Sequence, residues 1–324
     1  MSEVRLLIPD DFGRGDVTPR PDAFIGLRLK GETMGTSWSA NWCAAPGLPE
    51  DTVKAALEAG FARMIASMSP WEPSSLISRY NRLDPGESLT IDAPFAEVMD
   101  IALEVARASG GALDPCLGGE VMRRGFGPAG TGAGEEGRAH GPAIWDKLMP
   151  EPGRLYQPGG VTLDLNAVAK GYAVDQMART LENFGITQYL VEIGGEFVGR
   201  GVKPDRSPWW VDLENPSPEE APWRLALVGR AVATSGDYRQ QIVWGQHRLS
   251  HIVPAPSRIS RFGDLASVSV IHECCASADA WATAFFAMGD VPSLALAGEL
   301  GLATIIQYRD APARLSARLE SWME

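Results

Sequence analysis

The sequence is poor in cysteine, histidine and positive charge, and each shortage removes a class of function. Its four cysteines, Cys43, Cys116, Cys274 and Cys275, form no C-x-x-C pair and no disulfide-dense spacing, so they read as free thiols packed as small apolar residues. The histidines, His140, His247, His251 and His272, are scattered without metal spacing, which excludes a zinc hydrolase. There is no P-loop G-x-x-x-x-G-K-[ST] and no G-x-S-x-G elbow, so P-loop and serine-hydrolase chemistry also fall away. Lysine and arginine number 29 against 41 aspartates and glutamates, a net charge of −12 that excludes a phosphate-tracking nucleic-acid binder. An anionic ligand must then be held locally, by a metal, a lysine or helix N-termini. No window reaches the roughly 18 unbroken apolar residues of a membrane helix. The opening "MSEVRLLIPDDFGRGD" has acids and a proline where a signal peptide needs a basic patch and an apolar run, so a cytoplasmic protein without a membrane span is expected.

What is present is the composition of a globular protein, 45% apolar and 22% charged, in a chain of 324 residues long enough for one large domain. Residues 24–45 predict a strand, a tight "TMGTSW" interruption and a second strand. Val53, Leu57, Phe61, Met64 and Met68 predict an amphipathic helix, and Phe95, Val98, Ala102, Val105 and Ala108 predict another, stopped by Gly110-Gly111. "VTLDL" reads as a short buried strand, followed by a helix from Ala167 to Phe184 with Gly185 as its cap. "YLVEIGGEFVGRG" has the form of strand, turn and strand. Later come "PWWVDLE", "RLALV", "RAVATSG", "QIVW", "HRLSHIV" and "SVSVIH" as short strands, a helix from Ser277 to Met288, a helix near Leu294 and the strand "ATIIQY". Strands and helices mix without a βαβα rhythm, so the fold class is α+β. Residues 1–24 form an N-terminal extension, 25–324 a single domain, and the Gly-rich stretch 125–142 a flexible insert. Gly132, Gly134 and Gly137 within it satisfy G-x-G-x-x-G, but no strand feeds that stretch and no helix receives it, so it is a surface loop.

Two segments carry chemistry. In "DLNAVAKGYAVD", Ala167, Ala169, Gly171 and Ala173 keep a helix start uncluttered, and its free N–H groups favour an anion. Lys170 adds a point charge at the same end, while Asp164 is either a ligand-facing carboxylate or a helix cap. In "SADAWATAFF", Asp279 and Thr283 stand four apart, so a helix presents two hard oxygens to one point, a pairing that suits Mg2+. The alternative is that Asp279 serves its own helix N-terminus and Thr283 bonds its own backbone. "ATSGDYRQ" places Thr234, Ser235 and Gly236 in a polar turn between strands, either functional or an ordinary hairpin. His251 lies in an apolar strand, as a structural residue or a general base.

Taken in order, "MGTSW" at Met34, "SPWEPSSLISRYN" from Ser69, "GGALDP" from Gly110, "LDLNAVAKGYAVD" from Leu163, "GGE" from Gly194, "ATSGDY" from Ala233, "SHIV" from Ser250 and "ADAWATAFFAMG" from Ala278 resemble the ApbE family of FAD:protein FMN transferases. The resemblance implies two related α+β halves similar to the T-fold, with FAD in the cleft between them. It implies Mg2+ on the side chains of Asp279 and Thr283 and the carbonyl of Ala167. It implies FAD contacts at Met34, Trp71, Ala112, Leu113, Asp114, Asp164, Lys170, His251 and Ile252. Thr234, Ser235 and Asp237 map to a motif beside the phosphates or the acceptor, and His251, with Asp237, to the deprotonation of the acceptor hydroxyl. The implied reaction moves FMN from FAD to a threonine or serine of an acceptor flavoprotein and releases AMP.

The chain departs from that pattern where "HIVPAPSRIS" puts Pro254 and Ala255 in place of an Asp-Pro, and where Cys116 stands in place of a threonine. Two alternatives stay open: an Mg2+-dependent FAD pyrophosphatase, in which water replaces the acceptor hydroxyl in the same site, and a non-catalytic FAD-binding protein, which the missing acid after Val253 supports.

Overall fold

The computed structural model describes residues 4–10, 12, 25–44, 47–123, 127–128, 145–148, 150–217, 220–237, 241–244, 247–250, 252 and 265–323. The Gly-rich stretch 129–144 and His251 lie outside the described residues.

An eight-stranded sheet organises the molecule, and every neighbouring pair in it is antiparallel. Its order is Arg314–Leu315, Ala303–Tyr308, Leu265–His272, Arg230–Gly236, Glu196–Arg200, Tyr189–Ile193, Thr36–Ala44 and Ile25–Thr33. Each set of four follows the chain order strand, strand, helices, strand, strand. The two sets meet where Arg230, Ala231 and Val232 pair with Gly199, Val198 and Phe197. With helices and an antiparallel sheet segregated into layers, the fold is α+β.

Period-two alternation gives the sheet two buried faces. Trp38, Ala40, Trp42, Val191, Ile193, Val268 and Val270 face the helices Glu50–Met68, Ala93–Ala108, Asn166–Asn183 and Cys275–Met288. The opposite residues, among them Val232, Ile271 and Ile305, pack under a smaller sheet of Arg5–Leu7, Trp223–Leu227 and Trp209–Asp212. The helix Cys275–Met288 is buried on nearly all sides, so it has no amphipathic stripe. Truncating its Phe285, which is fully buried, would cost about 3–5 kcal/mol.

Local signals explain the ends of these elements. Asp92 Oδ1 accepts from Phe95 N at 2.9 Å and starts the helix that Gly110 and Gly111 stop. One sequence expectation changes and one alternative is resolved. "VTLDL" makes one isolated bridge, Thr162 with Leu117, rather than a strand, because Leu163 N and O are taken by the Asn81 side chain. Thr234, Ser235 and Gly236 are strand residues paired with Ser269, Val268 and Ser267, so the strand expected for "RAVATSG" forms and the alternative hairpin turn does not. Their polar side chains simulate a turn signal, although the ladder continues to Gly236. Among the described residues no helix is long and apolar enough to cross a membrane.

Candidate active site

The hairpin turns at Met34-Gly35 and Gly194-Gly195, the strand end at Gly236 and the start of the helix Asn166–Asn183 converge on a cavity of about 860 Å3. Small side chains help create the space: Ala167 faces it from one helix and Ala112 from the loop that follows Gly111, beside the larger Leu113. Met34 holds φ 50° beside Gly35 at φ 74°, the doubly left-handed turn that a two-residue hairpin favours.

Asp279 projects into this cavity from the helix Cys275–Met288 and is 3% exposed. Its Oδ2 accepts from Gly171 N at 3.0 Å. That N–H is the donor that helical register assigns to the Ala167 carbonyl, so carboxylate and carbonyl compete for it. Burial pushes the Asp279 carboxyl up to about 7 against the opposing pull of Lys170. Thr283, one turn further on, shares a 2.9 Å hydroxyl pair with Ser235. Asp279 and Thr283 therefore face the cavity together, and the own-helix alternative does not hold for Asp279, which serves a neighbouring helix.

Lys170 Nζ lies 2.5 Å from Glu196 Oε1. Burial, the largest single influence, would lower the lysine pKa, but the carboxylates of Glu196 and Asp279 together outweigh it, so Lys170 stays charged. The other Glu196 oxygen is buried without a hydrogen-bond partner among the described residues. Asp164 Oδ1 accepts from Asn166 N at 2.8 Å, so it steadies the helix start while it lines the cavity. Asp114 Oδ1 accepts from Cys116 N at 2.8 Å and leaves its buried Oδ2 without a partner among the described residues. Burial raises the pKa of both aspartates.

Met34, Ala112, Leu113, Asp114, Asp164, Ala167, Lys170, Thr234, Ser235, Ile252, Asp279 and Thr283 all line the one cavity. Trp71 and Asp237 are not among its lining residues. Trp71 is 56% exposed, whereas Asp237 is buried in an ion pair with Arg309. Glu196 is the residue that sequence reasoning passed over; its only signal was its place in "GGE", and nothing in the spacing points to Lys170.

Where the two helices meet at the cavity, the Asp279 carboxylate and the Thr283 hydroxyl stand beside the residue Ala167, hard-oxygen chemistry that fits Mg2+, which keeps waters and takes few protein ligands. Among the described residues no group of three or more His, Cys, Asp or Glu could hold a metal ion.

Residues 34–306 match the model of the ApbE family. The chain belongs to this family. Similar ApbE-family relatives include the FAD:protein FMN transferase of Klebsiella pneumoniae, 26% identical over 318 residues that cover 94% of this chain and 89% of that protein. The FAD:protein FMN transferase of Vibrio cholerae serotype O1 is 29% identical over 286 residues, 84% of each chain. Among solved ApbE structures, the flavin transferase ApbE from Vibrio cholerae superposes with a TM-score of 0.82 at 28% identity, covering 92% of this chain and 99% of that one. The apo form of Pseudomonas stutzeri flavinyl transferase ApbE gives a TM-score of 0.83 at 29% identity, over 92% of this chain and 97% of that one.

Proposed function

We propose that this chain is an FAD:protein FMN transferase that works with Mg2+. It moves FMN from FAD to a threonine or serine hydroxyl of an acceptor flavoprotein. The observation that carries the reading is the gathering of Asp279, Thr283, Ala167 and Lys170 around one cavity. An anion-binding helix start and a hard-cation pair are what a pyrophosphate substrate requires.

On this reading the Asp279 carboxylate, the Thr283 hydroxyl and the Ala167 carbonyl would hold the Mg2+, which would supply neutralisation of pyrophosphate and leaving-group charge. Lys170, held by Glu196, supplies the fixed positive charge that an acidic protein otherwise lacks near a dianionic ligand. Small residues at the helix start let the phosphates approach backbone N–H groups. The acceptor oxygen bonds to the phosphorus on the FMN side as the bridging P–O bond breaks, and the hydroxyl proton passes to a base, for which His251 is the candidate. In-line placement of that hydroxyl supplies much of the rate. Asp237, already engaged by Arg309, steadies the end of the strand that carries Thr234 and Ser235.

The test is chromatography of the nucleotide products after incubation with FAD and Mg2+, or FAD and EDTA, with and without an acceptor flavoprotein. The reading requires AMP that depends on acceptor and metal, together with covalent flavin on the acceptor. Acceptor-independent AMP with free FMN means a pyrophosphatase, and intact FAD in every tube means a binding protein.

A further inference from the structure

The helices Asn166–Asn183 and Cys275–Met288 run antiparallel and touch through matched residues four apart. Asp175 meets the start of the second helix, where its Oδ1 accepts from Cys275 N at 2.8 Å and its Oδ2 from Ala276 N at 2.9 Å. One turn back, Gly171 N donates to Asp279 Oδ2 at 3.0 Å. One further turn back, Ala167 falls level with Thr283, and both line the cavity. The stripe Ala167, Gly171, Asp175 is thus laid against the stripe Thr283, Asp279, Cys275.

Asp175 is the only charged anchor in that stripe pairing that does not face the cavity. The second helix has no cap of its own: Cys274 occupies the cap position and makes no side-chain cap bond. Cys275 and Ala276 are 0% and 1% exposed, so without Asp175 their N–H groups would be buried donors lacking a partner. The carboxylate also places negative charge at the positive end of the helix dipole. Gly171 permits the close approach, since a Cβ there would lie 2.4 Å from the Cys275 carbonyl oxygen. A slip of one residue between the helices would displace the paired groups by about 1.5 Å.

We infer that Asp175 is a positioning residue for the cation site. By capping the second helix from the side of the first, it sets the register that brings Asp279 and Thr283 opposite the Ala167 carbonyl. It touches neither metal nor substrate. This inference rests on the assignment of Mg2+ to those three groups.

The test measures Mn2+ binding to the free protein by electron paramagnetic resonance, beside FAD affinity in EDTA and near-ultraviolet circular dichroism. Asp175→Asn keeps the size of the side chain but turns an N–H donor toward one of the two amides. Its Mn2+ dissociation constant is expected to rise about tenfold or more, the usual consequence of losing an outer-shell partner, while FAD affinity in EDTA stays within about twofold. Unchanged Mn2+ affinity in a folded variant overturns the inference. If Asp175→Asn does not fold, Asp175→Glu replaces it; its longer stem shifts the amides, and Mn2+ affinity equal to wild type again overturns the inference. Wild-type protein that binds no Mn2+, or Asp279→Asn that binds it normally, overturns the metal assignment itself, an outcome distinct from either result at Asp175.

Discussion

Lys170 and Glu196 form an asymmetric pair: Nζ stands 2.5 Å from Oε1, yet the glutamate side chain is 2% exposed and the lysine 39%. Both residues line the cavity, the lysine the more exposed and the buried glutamate its anchor. Lys170→Ala is therefore expected to weaken FAD binding and to destabilise the protein by about 1–3 kcal/mol, through a buried carboxylate left unpaired. Adding Glu196→Gln should recover most of that stability without restoring FAD affinity. Urea unfolding and flavin fluorescence titrations separate the two effects; a double variant that binds FAD like wild type would mean that the lysine points elsewhere.

Gly171→Ala tests the helix contact. Alanine improves helix propensity by about 1 kcal/mol, but backbone atoms 2.4 Å from the added Cβ cannot give way without moving the helix. Overpacking of this kind costs about 1–3 kcal/mol, so net destabilisation is expected in urea unfolding. A stabilised variant would show that the two helices can separate freely.

Asp279 makes the metal-free protein sensitive to pH. Its carboxyl ionises at 3.8 when unfolded and at about 7 when folded, chiefly through burial. Between those values the folded state keeps a proton that the unfolded state has released, so stability falls as pH rises across the window. Urea midpoints in EDTA at about pH 4.5 and about pH 7.5 should show a larger loss for wild type than for Asp279→Asn. Equal losses would mean that the carboxylate is ionised throughout. The same variant should fold and lack metal-dependent turnover.

Met34→Gly separates strain from binding. Relief of a left-handed non-glycine residue is worth about 1–2 kcal/mol, and the entropy of a new glycine takes back about 0.5–1 kcal/mol, so stability should change little or rise slightly. FAD affinity should fall about tenfold with the loss of an apolar cavity wall. Unchanged affinity, read by fluorescence titration, would remove Met34 from the ligand site.

The local parts of this structure were legible because periodicity and caps act over a few residues. The helix that begins near Ala167, its cap at Gly185 and the shared face of Asp279 and Thr283 all followed from spacing alone. The residues that bind these parts together were not legible in the same way. Asp175 closes the quoted segment "DLNAVAKGYAVD", but its partners are 100 residues away, and Glu196 reaches Lys170 only after two strands have folded back. Thr234 and Ser235 carried two readings, the strand "RAVATSG" and a polar turn, because hydroxyls in a strand look polar until the hydroxyl of Ser269 and that of Thr283 are brought against them; the strand is what forms.

The cavity lining runs in sequence from Met34 to Thr283, and the helix Cys275–Met288 that carries Asp279 and Thr283 packs against the earlier helices Ala93–Ala108 and Asn166–Asn183 and against the sheet. During synthesis, the segments around Lys170 and Asp164 therefore leave the ribosome long before the wall that completes them. Domains emerge N-terminal end first, so Asp175 and Gly171 wait for a partner helix that has yet to be made. A nascent or clipped chain lacking residues beyond 274 would hold an unfilled seam and no closed pocket. The cavity is thus completed only once the last third of the chain has been made.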